Sequence, residues 1–395
     1  MNSPQPGGLQ VFLVAAEESG DRLGASLMTA LRERSSVPMQ FSGVGGHAME
    51  AAGLVSEFSI DDFSIIGVSA IPRRLPRILS HMAQTVRAIL ARRPDVLVII
   101  DSPAFTLRVA RIVHWFDRSI PIVDYVSPSV WAWRAGRASA MSHYIDHVLA
   151  LLPFEPDVHR RLGGPPCSYV GHPLIEEVST LRANEAEARR RMADPPVVLA
   201  MPGSRSSEVT KLGEVFGEAL ALVQDRAGAI DVVVPTVPHL VPQVTAMASK
   251  WRVNSHVVVE AVDKRAAVRS ARAALAKSGT TTLELAVAGV PMVAAYKVSQ
   301  FEAFVIRRLV RVPSYILANL VIGENVVPEI VQDDCTPEQL AGALVPLLAD
   351  TPERRRQVEA FARLDSIMEI GTREPAARAA DIVLGAIRKP AVPKQ

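Results

Sequence analysis

A chain of 395 residues is longer than the roughly 250–300 that one hydrophobic core organises, so two domains are expected. Apolar residues make up 49% and charged residues 21%, a globular balance, and a net charge of +2 is too mild for a nucleic-acid-binding face. The two cysteines, Cys167 and Cys335, form no CxxC pair, are too few for a metal site, and fit a reducing cytoplasm.

The first apolar run, Val11 to Ala16, is cut short by Glu17, Glu18 and Asp21. It is too short for a signal peptide or a spanning helix, and no later run reaches ~18 apolar residues. A soluble protein, or one lying on a membrane surface, is expected. Val11 to Val14 reads as a buried strand, and the leucines at 23, 27 and 31 then follow at helical spacing. Phe58 to Leu79 mixes apolar residues with Arg73, Arg74 and Arg77, which suits either a core helix with a basic outer face or a membrane-surface segment. Phe301 to Arg311 is a second such mix. Val96 to Ile100, Pro121 to Val126 and Val148 to Leu152 are further strands.

The pattern restarts at Pro196 to Ala200, followed by a helix with Leu212, Val215, Phe216, Ala219 and Leu220 on one face. Asp231 to Pro235, His256 to Val259, Ala273 to Ala276 and Pro291 to Tyr296 continue it. Continuous apolar strands separated by helices mean parallel sheets covered on both faces. The expected class is α/β, with two doubly wound domains. The first spans 1–175, a linker helix 176–195, the second domain 196–365, and a last helix within 366–395 crosses back to the first domain. Ligands in such folds sit beyond the carboxyl ends of the strands.

Motifs narrow the chemistry. There is no GxxxxGK[ST] loop, no GxGxxG after the first strand and no Asp-x-Asp pair. A bound diphosphate must then be neutralised by backbone amides, helix N-termini and cations. Pro202-Gly203-Ser204-Arg205 supplies such a turn, with Arg205 adding a charged, forked donor. Ser278-Gly279-Thr280 begins a second, with Glu284 one turn into its helix as a candidate ribose acceptor. Each motif alone also reads as an ordinary capped strand-to-helix turn.

The first half supplies acids. Asp101 ends the strongest strand and reads either as an N-cap or turn aspartate or as a general base; Glu17 also sits at a strand end and reads either as a solvated loop charge near a helix N-terminus or as a second acid. Asp21 reads as structural, near a helix N-terminus. Tyr125 to Trp133 holds two of the four tryptophans within three residues and reads as a packed loop or as a wall for sugar or acyl chains. His47, His114 and His172 have no partners at metal spacing.

In order and spacing these motifs resemble the lipid-A-disaccharide synthase family over nearly the whole chain. The resemblance rests on Ala16–Asp21, Gly43-Val44-Gly45-Gly46, Asp101–Thr106, Tyr125–Trp133 and Leu152-Pro153-Phe154-Glu155. It continues with Val170–Leu174, Pro202–Arg205 with Glu208, Ser278–Thr280 with Leu283-Glu284, and Asn319 followed by Val327-Pro328-Glu329 and Gln332. Ala16 and Glu18 depart from the family's usual Gly and Ala, and Ala104 and Thr106 from its Asp and Asn; Glu17 and Asp101 are kept. The resemblance implies a GT-B architecture with two Rossmann-like domains facing a cleft, and an inverting, metal-free transfer with no cofactor. The implied donor is UDP-2,3-diacylglucosamine and the implied acceptor 2,3-diacylglucosamine 1-phosphate. The expected place is the cytoplasmic face of an inner membrane, with no nucleic-acid partner and a homodimer left open. Asp101, Glu17 and Arg205 are then the catalytic candidates. Gly203, Ser204, Ser278, Gly279, Thr280, Glu284, Asn319 and Glu329 are the donor-side candidates. A UDP-N-acetylglucosamine 2-epimerase, another GT-B enzyme or a non-catalytic nucleotide-sugar binder are the alternatives.

Overall fold

The computed structural model describes residues 8–60, 71–299, 302–303, 308 and 312–387, with 71–75 as backbone only. The chain divides into two compact units, Met1–Ile175 with Gly371–Gln395, and Glu176–Ile370.

Among the described residues the first unit carries seven parallel strands: β1 Leu9–Ala15, β2 Met39–Val44, β3 Val55–Ser56, β4 Val96–Ile100, β5 Ile122–Tyr125, β6 His147–Ala150 and β7 Cys167–Tyr169. Their order is β3-β2-β1-β4-β5-β6-β7. β4 is apolar at every position, and β1 from Val11 onward, because both faces are covered. Val11, Leu13, Val96, Val98 and Ile100 pack with Leu27, Met28 and Leu31 of helix Glu18–Arg34. On the opposite face Phe12, Val14, Leu97 and Ile99 meet Met82, Val86 and Ile89 of helix Ile71–Arg92 and Val109, Ala110 and Val113 of helix Thr106–Phe116. Each such fully buried side chain contributes about 1.5–3 kcal/mol relative to exposure.

The second unit holds six parallel strands: β8 Val197–Met201, β9 Asp231–Pro235, β10 Asn254–Val258, β11 Ala273–Lys277, β12 Met292–Tyr296 and β13 Glu329–Val331. Their order is β10-β9-β8-β11-β12-β13. In both sheets the winding direction reverses between two neighbouring central strands, β1 and β4 in the first and β8 and β11 in the second. A crevice opens beyond the carboxyl ends of strands at such a switch point. The segments leaving these four strands carry Glu17, Asp101, Gly203–Arg205 and Ser278–Thr280. The topology therefore places the acidic candidates at one switch point and the anion-binding turns at the other.

Residues 176–195 differ from the expected linker. They form two helices, Val178–Leu181 and Glu185–Met192, built into the second unit. Asn184 breaks the pattern with a reciprocal capping box to Glu187, and Arg191 donates to the carbonyls of Gly289 and Ala288 at 3.0 and 3.2 Å. The last helix, Pro375–Ile387, belongs to the first unit. Its Ala379, Ala380, Val383 and Leu384 join the core under β1, and Arg34 holds Asp381 through two bonds of 2.6 and 2.7 Å. Asp21 is buried, and its carboxylate accepts from the N–H groups of Gly46, Ala48 and Met49 at 2.7, 2.9 and 3.1 Å. It caps the first turn of the neighbouring helix His47–Ala51.

Candidate active site

Asp101 leaves β4 with φ +54° and Ser102 follows with φ +46°. Two consecutive non-glycine residues in the left-handed region cost roughly 1–2 kcal/mol each. Thr106 holds the bend, its hydroxyl donating to the carbonyls of Asp101 and Ser102 at 2.6 and 3.1 Å. The N-cap position of the next helix is Phe105, so the Asp101 carboxylate is not used as a cap. It accepts instead from Ser102 N–H at 2.7 Å and from the Ser19 hydroxyl at 3.2 Å. The Ser102 hydroxyl donates to Glu17 at 2.8 Å. Two serines thus tie Asp101 and Glu17 into one constellation at the β1/β4 switch point. Each carboxylate keeps acceptor capacity for a substrate hydroxyl.

The Tyr125–Trp133 loop divides in two. Trp131 is packed: it stacks edge-on against Phe154 at 5.5 Å and its indole N–H donates to Glu155 at 3.3 Å. Trp133 is 38% exposed, with the guanidinium groups of Arg134 and Arg137 over its ring at 4.4 and 5.5 Å. Beneath this loop lies a buried polar cluster that the sequence reading missed. Asp124, Ser127, Glu155 and His159 are all buried, and Ser127 bonds His159 Nε2 at 2.9 Å. Burial, then the neighbouring Asp101 and Glu155 charges, push the Asp124 carboxyl well up. The signal available was a carboxylate, Asp124, inside an otherwise apolar strand.

Burial also raises Glu155 from its ordinary 4.5 to about 7, despite bonds from Leu152 N–H and Trp131. The native state therefore binds this proton more tightly than the unfolded chain. The associated stability is complete below pH 4.5 and is lost as pH rises towards 7. Burial holds His172 down at about 4, so its contribution runs the other way, rising with pH from 4 to 6.5. Comparing Glu155→Gln with the parent isolates the first group. The variant's unfolding free energy is expected to gain on the parent's between pH 4.5 and 7, at up to about 1.4 kcal/mol per pH unit. A constant difference across that range would remove the assignment.

In the second unit Gly203, Ser204, Arg205, Gly279 and Thr280 line one cavity of 320 Å³, together with Lys264, Lys277 and Glu208. Gly203 has φ +130°, and a Cβ there would sit 2.3 Å from a Glu208 oxygen, so only glycine fits. Glu208 is the hub. It accepts from the N–H groups of Ser204 and Arg205 at 3.1 and 3.3 Å and pairs with Arg205 and Lys277 at 3.2 and 3.1 Å. Burial pushes its carboxyl up, but Lys277, Arg205 and the backbone donors outweigh this and hold it below the ordinary range. A carboxylate at a helix N-terminus, between two cations, marks an anion site. Lys264, Lys277 and Glu208 were not among the site residues expected from sequence. Lys277 lies next to the Ser278-Gly279 turn, which was the available signal.

The remaining candidates lie elsewhere in this unit. Ser278 is buried and its hydroxyl donates to the Tyr315 carbonyl at 2.7 Å. Glu329 accepts from Tyr315 N–H at 2.9 Å, from the Ser314 hydroxyl, and from Asn319 at 3.2 Å. Asn319 is buried and its oxygen accepts from Val326 and Val327 at 3.1 and 2.9 Å. These three form one network that fixes the 314–316 turn beside β11. Glu284 is half-buried, outside the lining of the 320 Å³ cavity, and burial raises its carboxyl, with Glu177 adding to the rise and Arg265 and Lys264 opposing it. Among the described residues no three His, Cys, Asp or Glu side chains are grouped to hold a metal ion.

Solved structures share this architecture along the whole chain. A UDP-GlcNAc 2-epimerase from Neisseria meningitidis bound to UDP-GlcNAc superposes with a TM-score of 0.57 at 11% identity, covering 96% of this chain and 99% of that one. The glycotransferase of kitacinnamycin gives 0.60 at 18%, covering 97% and 100%. Such identities show the fold alone: two Rossmann-like units of the GT-B class, shared by glycosyltransferases and epimerases. Sequence decides within that class. Residues 11–383 match the family model for lipid-A-disaccharide synthetase. The lipid-A-disaccharide synthase of Rhodopseudomonas palustris (strain BisB18) is 59% identical over 376 residues, 95% of each chain. That of Nitrobacter winogradskyi is 57% identical over 380 residues, 96% of each. The chain belongs to the lipid-A-disaccharide synthetase family.

Proposed function

We propose that this protein joins two acylated glucosamines, using UDP-2,3-diacylglucosamine as donor and 2,3-diacylglucosamine 1-phosphate as acceptor, with release of UDP. The observation that supports this reading most is family membership across residues 11–383, combined with acids and an anion cavity at the two switch points. The acceptor 6-hydroxyl gives its proton to Asp101 while its oxygen bonds to the donor's anomeric carbon. The bond from that carbon to the diphosphate breaks, and its electron pair leaves with UDP. One direct displacement inverts the anomeric carbon. Glu17 positions the acceptor beside Asp101. Arg205, Lys277 and the amides at Ser204 and Thr280 stabilise the departing diphosphate. Glu284 holds the ribose, and Asn319 and Glu329 position the donor through the 314–316 turn.

Among the described residues no helix is long and apolar enough to cross a membrane. Acylated substrates favour a protein that sits on the cytoplasmic face of the inner membrane. The apolar-basic stretches 58–79 and 301–311 serve that contact in this reading, and residues 61–70 and most of 301–311 fall outside the described residues.

Incubation with both lipids in detergent is expected to release one UDP per β-1,6-linked disaccharide, read by mass spectrometry. UDP release or a 2-epimer from the donor alone would favour the epimerase reading. Binding without turnover would favour a non-catalytic one.

A further inference from the structure

The sequence Trp133-Arg134-Ala135-Gly136-Arg137 follows β5, the neighbour of β4, and is unused by the mechanism above. Arg134 and Arg137 both lie over the Trp133 ring, and Arg134 is held in the left-handed region at φ +54°. A third guanidinium, Arg108 on helix Thr106–Phe116, lies close enough for its field to reach Arg137. Among the described residues none of Arg108, Arg134 and Arg137 forms an ion pair with a carboxylate. Arg108 donates to the Ala104 carbonyl in the turn before its helix. Desolvation, then Arg134, destabilises the charged form of Arg137, with Arg108 adding to this; Tyr144 and, more weakly, the buried Asp124 oppose it.

Like charges gathered without a counter-ion repel, and the indole fixes two of them rather than letting them spread into solvent. A planar guanidinium stacked on an aromatic face is pre-organised to take a phosphate through two parallel bonds. β4 and β5 are paired neighbours, about 4.8 Å apart, and the segments that follow them carry Asp101 and this cluster. The cluster therefore sits in the same unit as Asp101, on the adjoining loop.

We infer that Arg134 and Arg137, supported by Trp133 and Arg108, form a binding site for the phosphomonoester of the acceptor glycolipid. This rests on the acceptor reading above. A sugar bound with its phosphate on this cluster presents its other end to the Asp101 loop, so the anion would set the direction in which the acceptor enters. Bilayer phospholipid offers the same phosphate chemistry, and the test separates the two sources.

Turnover is measured in neutral detergent with 2,3-diacylglucosamine 1-phosphate and with the same glycolipid lacking its phosphate. The parent is expected to prefer the phosphate. The Arg134→Ala/Arg137→Ala double variant should raise KM for the phosphorylated acceptor about 10- to 100-fold, the worth of lost charged hydrogen bonds. KM for the donor should stay unchanged, and the preference should collapse because the unphosphorylated acceptor is unaffected. Arg137→Lys should keep part of the preference, as a point charge without the fork. Equal losses on both acceptors, a shift in donor KM or no preference in the parent would each overturn the site. So would unchanged kinetics with lost retention on phosphatidylglycerol vesicles, which would assign the cluster to the bilayer. Should the parent release no UDP with either acceptor, the functional reading fails. Direct binding then decides the site: tighter binding of the phosphorylated than of the unphosphorylated lipid, lost in the double variant, keeps it, and equal binding of the two removes it.

Discussion

Asp101→Asn is expected to lower turnover by about 10²–10⁴-fold with both substrates saturating, the usual worth of a positioned general base. The substitution keeps the side chain's size and its acceptor for Ser102 N–H, so the bend after β4 should persist. Donor affinity should be unchanged, because the cavity that would receive the donor's diphosphate lies in the second unit. Glu17→Gln should cost less and should fall on acceptor KM, since Glu17 bonds the same loop through Ser102. Stopped-time UDP release at saturating substrates measures both. Near-full turnover in Asp101→Asn with collapse in Glu17→Gln would exchange the two roles. The geometry makes that exchange the specific competing outcome, because the two carboxylates share one serine.

Much of this arrangement was legible before any coordinates. Val96–Ile100 and Asp231–Pro235 are strands at the expected residues, because an unbroken run of five β-branched or leucine side chains in the first, and three valines between Asp231 and Pro235 in the second, leave little else to form. Short strands were not readable. Cys167–Tyr169 and Glu329–Val331 are three residues each, and Met39–Val44 is interrupted by Ser42 and Gly43. The first two are edge strands that take their pairing from one neighbour, and Met39–Val44 is held between β1 and β3 rather than by its own pattern. The same division holds at the site. Strand-to-helix turns announce themselves through Gly203 and Gly279, yet the sequence could not place Lys277 against Glu208, which is 69 residues away along the chain. Nor could it separate Trp131, which is pinned by Glu155, from Trp133, which is exposed. Asn319, Glu329 and Ser278 looked like independent ligand contacts. The structure joins them through Tyr315 and Ser314, so their polar atoms answer one another first.

Arg205→Ala is expected to reduce turnover by about 10²–10³-fold, as removal of a group facing charge that grows in the transition state does. The Arg205 side chain is 76% exposed, so little of the fold depends on it and melting should barely move. Lys277 is 20% exposed and tied to Glu208, which is why Lys277→Ala should weaken donor binding as well as turnover. Glu208 discriminates between a site that binds phosphate and a turn that is merely capped. Its carboxylate occupies the amides of Ser204 and Arg205 that an incoming diphosphate would use. Glu208→Gln keeps an acceptor for those amides but removes the competing charge. If diphosphate binds here, the variant should take UDP about tenfold more tightly, by titration calorimetry, while Arg205→Ala takes it more weakly. If the turn is only a structural cap, both variants should leave UDP affinity alone, and the acids of the first unit would have to act on a donor held somewhere else.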